Sequence, residues 1–203
     1  MVCCCPERTS TQGFDREEGI DWEGKLVIEA WEDEIRVPWV NFEFLEGEDI
    51  YTDGSALDTK HGELARGAGA AVQRTANGGW RGFIVRVPEG HPKGAAVPEQ
   101  LAASIALWKC DSDGKGFCII TDCKAVVKVA LSVMLKVHPK SIFAGMWWDL
   151  PWNRARFKKV RSHQPIEKVG LPGEISQADW EGNNKADEWA GEGVLSITLC
   201  KAT

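Results

Sequence analysis

The chain has 203 residues, with 30 Asp and Glu against 24 Lys and Arg, and hydrophobic residues make up 43% of it. These values exclude a mostly disordered chain, and 21 Gly without a three-residue period exclude a collagen. No apolar run reaches the ~18 residues of a membrane helix, and residues 1–6 lack the features of a secretory signal. Seven Cys without a C-x-x-C pair indicate reduced thiols in an intracellular protein rather than a zinc site.

The charge is unevenly distributed along the chain. Residues 1–50 hold 14 acidic and 4 basic side chains, while residues 51–203 hold 16 acidic and 20 basic ones. We therefore divide the chain into an acidic N-terminal arm (1–46), to which we assign no fold, a main domain (47–195) and a C-terminal tail (196–203). A net positive main domain can meet a phosphate backbone, which the arm would repel or shield.

In chain order, the main domain opens with three strands and continues with helices and strands in alternation. The Asn77-Gly78 pair between the second and third strands is a hairpin signal, and Pro98 stands at a helix start. This order predicts a mixed sheet with helices packed on it. The predicted strands are residues 49–55, 66–74, 80–87, 117–121 and 154–161, and the predicted helices are residues 99–109, 124–135, 141–148 and 183–190.

Four acidic residues stand in apolar surroundings. Asp53 follows an apolar strand, Glu99 opens an apolar helix, Asp122 ends a hydrophobic strand, and Asp187 lies among Ala and Trp in the last helix. Buried acids are costly unless a cation or hydrogen bonds compensate them. If the fold brings the four together, Mg²⁺ or Mn²⁺ would be the natural counter-ion. Two such ions ~3.5–4 Å apart form a centre that cleaves phosphodiesters.

Five sequence blocks resemble the ribonuclease H family and occur in the order of that family. The first and last blocks are the most specific, and the resemblance spans roughly residues 48–193. The blocks are residues 50–55 (IYTDGS), 98–103 (PEQLAA), 120–123 (ITDC), 160–163 (VRSH) and 182–190 (GNNKADEWA). The sequence pattern between residues 163 and 187 is similar to that of the ribonuclease H domains of non-LTR retroelements.

The resemblance implies an α/β ribonuclease H-like fold, with a five-stranded mixed sheet whose first three strands are antiparallel. It also implies hydrolysis of the RNA strand of an RNA–DNA hybrid by a two-metal-ion mechanism. Carried over by residue, Asp53, Glu99, Asp122 and Asp187 would bind two Mg²⁺ or Mn²⁺ ions. His163 would assist proton transfer or product release, a role that suits an imidazole with a near-neutral pKa.

Basic residues between 154 and 161 (RARFKKVR) indicate how nucleic acid could be held. One face of this strand could contact phosphates, or the strand could be an exposed basic edge that discourages aggregation. Trp147, Trp148 and Trp152 precede the strand and are expected in the core rather than on a stacking surface. The predicted contacts to nucleic acid are Gly54, Ser55, Lys124, Arg154, Arg156, Lys158 and Asn183.

Two other functions stay open at this point. One is a catalytically degenerate retroelement domain that binds nucleic acid without cleaving it. The other is a different polynucleotidyl transferase of the same architecture, of the transposase and integrase kind, which acts on DNA ends with three acids. The expected partners are an RNA–DNA hybrid and a reverse transcriptase polymerase module, with no membrane, and the chain is expected to be an intracellular monomer.

Overall fold

The structure is a computed structural model that describes residues 26–60, 65–88, 94–110, 116–132, 144–147 and 150–199. Several sequence predictions fall outside these ranges. They concern Cys3, Cys4 and Cys5, residues 133–135 and 141–143 of two predicted helices, and Trp148. Within the described ranges, no helix is both long and apolar enough to cross a bilayer.

The strands in the described ranges form one mixed sheet, in the order β2-β1-β5-β4-β3-β6-β7. The predicted number of five strands is therefore wrong, because two further strands lie in the predicted N-terminal arm. The five predicted strands are all present. The strands are β1 (Val27–Glu32), β2 (Ile35–Val37), β3 (Asp49–Leu57), β4 (Arg66–Arg74), β5 (Trp80–Arg86), β6 (Phe117–Thr121) and β7 (Ala155–Lys159).

Strands β1 and β2 form a hairpin that extends the sheet beyond β5. Its two-residue turn, Asp33 and Glu34, has positive φ at both positions (48° and 69°), which is the conformation that suits a tight hairpin. Strand β1 pairs antiparallel with β5, with Ala30 opposite Phe83. The charge of Glu29 makes this segment difficult to recognise as a strand from its sequence. In the structure, ion pairs with Arg36 and Arg86 balance the charge of Glu29.

The chain between β2 and β3 is held to the core by aromatic rings and by one glutamine. Phe42 and Phe44 are buried and meet each other and Phe83 with ring centroids 5.1–6.2 Å apart. The Gln73 side chain, which is fully buried, accepts from the Leu45 N–H at 2.7 Å and donates to the Leu45 carbonyl at 2.9 Å. Residues 26–46 therefore contribute to the same core as the sheet, whereas the predicted domain boundary at residue 46 stays a prediction.

Helices cover both faces of the sheet, and glycine or alanine at the contacts lets them approach closely. On one face, Gly69 of β4 lies so near the first helix that an added Cβ would be 2.4 Å from the Pro98 carbonyl oxygen and 2.8 Å from Ala102 Cβ. On the other face, an added Cβ on Gly182 would be 2.3 Å from the Tyr51 ring. The helices are α1 (Ala96–Lys109), α2 (Lys124–Leu131), α3 (Ala144–Trp147) and α4 (Gln177–Leu199).

Helix α4 is much longer than the predicted helix at residues 183–190 and reaches into the predicted tail. Gly182, Gly191 and Gly193 lower its intrinsic helix propensity, so the sequence understates it. Packing decides the outcome, since Ala186, Ala190 and Val194 are fully buried along one side of this helix. The helix lies on β3 and β4, where it can present a side chain to the end of β6.

Candidate active site

Asp53 and Asp122 come together because two neighbouring strands run in parallel. Strands β3 and β6 pair in register, with Thr52 opposite Thr121, so the next residue on each strand is an aspartate. Strand β6 ends at Thr121, and its hydroxyl accepts a hydrogen bond from the Cys123 N–H at 3.1 Å, which fixes the turn at Asp122. In α/β sheets, binding sites often lie at the carboxyl ends of parallel strands, at the point where the order of the strands reverses.

Glu99 reaches the same place because α1 begins directly over β3. An added Cβ on Gly54 would lie 2.4 Å from the Glu99 backbone N, so only glycine permits this approach. The Gly54 N–H also donates to Asp53 Oδ1 at 2.7 Å. Gly54, which we predicted as a contact to nucleic acid, thus holds the first two acids together through its backbone and its lack of a side chain.

We expect Gly54→Ala to destabilise the fold by about 1–3 kcal/mol, because the helix start must move away from β3. The same movement displaces Glu99 from Asp53 and Asp122. Gly191→Ala is the matched control, since an added Cβ there meets nothing within 4 Å and alanine favours the helix by about 0.5–1 kcal/mol. Urea denaturation measures the change in the free energy of unfolding for each variant, and equal midpoints for the two variants would contradict the steric argument.

Three of the four predicted acids converge in a group that could hold a metal ion. Asp53, Glu99 and Asp122 each offer an oxygen, and these oxygens lie within 4.8 Å of one another. Asp53 is only 6% exposed. The buried Glu99 Oε2 has no hydrogen-bond partner in the structure. An unsatisfied buried anion is costly, so the donor set fits a hard divalent cation, which such oxygens prefer.

The electrostatics of the group point the same way. Burial, followed by the nearby Asp122, raises the pKa of Asp53 to about 7. Burial, followed by the nearby Asp53 and then Asp122, raises the pKa of Glu99 to about 10. Asp187 contributes to both pKa increases, which places it within electrostatic reach of the pair. The cluster therefore resists carrying its full negative charge unless a cation joins it.

Asp187 and His163 are more exposed than the three grouped acids. Asp187 lies on α4 and faces solvent, outside the group whose oxygens meet within 4.8 Å. His163 lies in the loop between β7 and α4, is exposed, and has φ of 47°, in the left-handed region. Its predicted role stays a prediction, as does that of Asp187 as a metal ligand.

The comparisons with known proteins support the fold. No family model and no curated protein matches this sequence. The solution structure of the PFV RNase H domain matches with a TM-score of 0.54 at 18% identity, over 74% of this chain and 96% of that domain. The native protease–reverse transcriptase of prototype foamy virus matches with a TM-score of 0.52 at 21% identity, over 73% of this chain. The chain has a ribonuclease H fold.

A third match is the foamy viral protease–reverse transcriptase in complex with an RNA/DNA hybrid, with a TM-score of 0.54 at 15% identity over 74% of this chain. The chain spans only 21% and 20% of the two protease–reverse transcriptase chains. The predicted resemblance to the ribonuclease H family and the predicted α/β class are thus confirmed at the level of the fold. The two strands of the N-terminal hairpin add to the predicted five.

The basic residues predicted to contact nucleic acid differ in how free they are. Lys124 and Arg156 are exposed, and neither makes an ion pair with another described residue. Arg154 donates to the Cys110 carbonyl at 3.0 Å. Lys158 Nζ contacts both carboxylate oxygens of Asp179, at 3.0 and 2.8 Å. Arg156 is therefore the best placed of the three predicted on that strand face to reach a phosphate.

The remaining predicted contacts are less accessible. Asn183 is 4% exposed in α4, and Ser55 is half-buried on β3. Trp147, predicted in the core, is 1% exposed and donates its indole N–H to Gln100 Oε1 at 2.6 Å. It also stacks on Trp152 at 5.1 Å.

Sequence reasoning missed one group at the start of α4. The Asp179 carboxylate is buried and accepts from Lys158 and from the Ser176 hydroxyl, at 2.8 Å, while the Asp179 N–H donates to that hydroxyl at 3.1 Å. The Ser-x-x-Asp pattern just before a helix is the sequence signal that could have revealed this cap. The cap fixes the helix that carries Asp187.

Proposed function

We propose that this chain is a divalent-metal-dependent endonuclease that hydrolyses the RNA strand of RNA–DNA hybrids by a two-metal-ion mechanism. The observation that carries the proposal is the convergence of Asp53, Glu99 and Asp122 within 4.8 Å, with the buried Glu99 Oε2 left without a partner. Burial raises the pKa of both Asp53 and Glu99, so a purely structural role does not account for this pair of acids. The ribonuclease H fold supports this reading without specifying an activity.

The metal ligands in this proposal are Asp53, Glu99, Asp122 and Asp187, which would bind two Mg²⁺ or Mn²⁺ ions. The bound ions would supply the Lewis acidity that activates a water molecule and stabilises the leaving oxygen. The chain itself contributes a rigid frame. Asp53 and Asp122 are fixed by the paired strands, and Glu99 is fixed by the contact between α1 and Gly54. Such fixed carboxylates need little reorganisation during the reaction.

His163 is proposed to move a proton at the end of the reaction or to assist product release. Its exposed position in the loop before α4 suits a group that meets the substrate from outside the acidic group. An imidazole ring can both donate and accept hydrogen bonds, which suits either role.

The hybrid is proposed to be held mainly through its phosphates. Lys124 and Arg156 are exposed cations, and Arg154 and Lys158 add positive potential nearby although each is engaged within the protein. Ser55, Asn183 and the Gly54 backbone are proposed to contact the hybrid where it approaches the acids. With so few phosphate contacts, affinity should fall steeply as salt rises. Recognition of RNA requires contact with a 2′-hydroxyl on one strand.

We further propose a reverse transcriptase polymerase module as a partner. The similar foamy viral structures are protease–reverse transcriptases, and one of them is a complex with an RNA/DNA hybrid. A nucleic-acid-binding domain gains affinity for a hybrid when a tethered module holds the same duplex. We propose that the chain is an intracellular monomer when it acts alone.

The test is cleavage of a labelled hybrid at low salt with Mg²⁺ or Mn²⁺. We expect wild-type protein to cut the RNA strand and Asp122→Asn to be slower by about 10³-fold or more, or ~4 kcal/mol of barrier, because one ligand charge is lost. Asp58→Asn is the matched control, since Asp58 is exposed in a turn with φ of 54°, which asparagine also adopts.

The same assay separates the two other functions. Binding of the hybrid without turnover, unaffected by Asp122→Asn, would indicate a degenerate domain. Cleavage of duplex DNA in preference to the hybrid would indicate a transferase or nuclease of the other kind. Either outcome would contradict the proposed ribonuclease activity.

A further inference from the structure

The loop between β7 and α4, residues 160–176, is long, yet it is tied down at many points. We name it the His163 loop. Loops of this length without their own secondary structure are often mobile. Here one 3₁₀ turn at Ile166–Lys168 and a bond from the Gly170 N–H to the Ile175 carbonyl, 2.8 Å long, give it an internal frame. Arg161 and Glu174 form an ion pair that joins its two ends.

Trp180 of α4 is the residue that fastens this loop to the body of the protein. Its indole N–H donates to the Gln164 carbonyl at 2.8 Å. Its ring packs against the buried cluster that contains Val160 and Ile175 of the loop, and Val169 of the loop packs against the same cluster. One side chain thus supplies both a polar and an apolar contact to the His163 loop.

The bond from Trp180 acts next to a residue that needs holding. His163 has φ of 47°, a conformation that costs a residue with a side chain free energy and persists only where surroundings impose it. The Gln164 carbonyl that accepts from Trp180 belongs to the very next residue. The Gln164 side chain also donates to the Ser162 carbonyl at 3.1 Å, so the backbone is restrained on both sides of His163.

Trp180 is itself fixed relative to Asp187. It follows Asp179, whose carboxylate is bound by Lys158 and Ser176, and it lies two helical turns before Asp187 on α4. Residues seven apart on a helix share a face. Two residues after Trp180, Gly182 packs on Tyr51 so closely that the helix cannot slide along β3. The position of the His163 loop is therefore tied to the helix that carries Asp187.

We propose that Trp180 is a positioning residue, whose indole N–H clamps the His163 loop to α4 so that His163 is held at a fixed place relative to the helix that carries Asp187. The proposal rests on the proposed ribonuclease function for its catalytic part. The clamp itself is a property of the loop and can be measured without substrate.

The first measurement is amide hydrogen exchange of the full chain, comparing wild type with Trp180→Phe. Phenylalanine keeps an aromatic ring and removes the N–H donor. Exchange should become about 3- to 10-fold faster at the loop amides that are hydrogen-bonded, while β3 and β6 stay unchanged. These amides include those of Lys168, Val169, Gly170, Leu171 and Glu174. Trp31→Phe is the matched control, because Trp31 is also half-buried and meets Trp189 edge-on on another part of α4.

The second measurement is a double-mutant cycle on hybrid cleavage with Trp180→Phe and His163→Ala. Trp180→Phe should lower kcat about 3- to 10-fold with little change in KM, because the lost N–H bonds the Gln164 carbonyl of the loop. In the His163→Ala background, the same substitution should have no further effect. Equal losses in both backgrounds would show that Trp180 acts on the fold generally and would overturn the proposal.

The two arms separate this proposal from the proposed function. If wild-type protein cleaves no hybrid, the ribonuclease function fails and the exchange comparison alone decides whether Trp180 clamps the loop. If wild-type protein cleaves the hybrid but loop exchange is the same in Trp180→Phe, the clamp is overturned while the function stands. Faster exchange confined to the His163 loop supports the clamp in either case.

Discussion

Glu99→Gln is expected to abolish metal-dependent cleavage and, at the same time, to stabilise the metal-free protein. Gln keeps the size of the side chain and, like a protonated Glu99, can donate to Asp53, but it has no carboxyl group that must stay protonated within a group of three acids. Because an unfolded chain gains no free energy at pH 7 by ionising a glutamine, the substitution should raise the free energy of unfolding at pH 7 by about 1–3 kcal/mol. Cleavage should fall by about 10³-fold, because a metal ligand is lost.

The stabilisation should depend on pH in a definite direction. The pKa of Glu99 in the folded chain, about 10, lies above the value of about 4.3 that an unfolded glutamate has. Between these values the folded state keeps a proton that the unfolded chain releases. The wild-type protein therefore loses stability as pH rises from about 4 to 7, and the variant lacks this loss. The advantage of Glu99→Gln should be small at pH 4, should grow through neutrality, and should level off only near pH 10, the pKa of Glu99 in the folded chain.

Thermal unfolding with and without Mg²⁺ or Mn²⁺ measures the stability of the metal-free protein and the stabilisation that bound metal adds. Saturating metal should raise the melting temperature of wild type and much less that of Glu99→Gln, because a ligand that binds only the folded state stabilises it. Glu34→Gln is the matched control, since Glu34 is exposed in the β1–β2 turn. A metal-free Glu99→Gln that melts below wild type at pH 7 would contradict the proposed crowding of charge.

Removal of residues 1–46 is expected to unfold the protein or drive it to aggregate. The deletion removes β1, β2 and the buried Phe42 and Phe44 rings, and it uncovers Phe83. Loss of one buried Phe side chain typically costs about 3–5 kcal/mol. Two such losses, together with the pairing of β1 with β5, reach the whole stability of an ordinary domain, about 5–15 kcal/mol.

A shorter deletion gives the comparison. Removing residues 1–25 leaves every contact described for β1, β2 and the rings in place, so this chain should stay folded. Circular dichroism and size-exclusion chromatography of both truncations measure the outcome. A folded, monomeric chain that begins at residue 47 would show that the predicted acidic arm is dispensable after all.

The strands and helices of the main domain could be predicted because local pattern and tertiary packing agree there. Strand β4 has the predicted bounds, and the Asn77-Gly78 signal lies in the turn between β4 and β5, where Gly78 has φ of 83°. The N-terminal hairpin was missed because acidic residues dominate its sequence. One partner of Glu29, Arg86, is 57 positions away along the chain, and sequence periodicity does not show such distant pairs.

The acidic group could be predicted from its residues, but its supporting contacts could not. Acids at the ends of apolar strands and helices are visible in one dimension, so Asp53, Glu99 and Asp122 were identifiable. The close approach that makes Gly54 essential, and the bond from Trp180 to the loop before α4, depend on which elements become neighbours in space. A tryptophan has many ordinary reasons to be buried, and nothing in the sequence marks the acceptor of its N–H.

The two outer margins of the sheet bear on how copies of this chain meet one another. Strand β2, at one margin, is only three residues long, and β7, at the other, exposes Arg156 and Lys159. The short strand β2 leaves few free backbone groups for another molecule to bond. At the other margin, the exposed cations of β7 repel those of β7 in a second copy. Stacking of molecules side by side into fibres is therefore opposed at both ends of the sheet, and at the β7 end this opposition weakens as dissolved ions screen the charges.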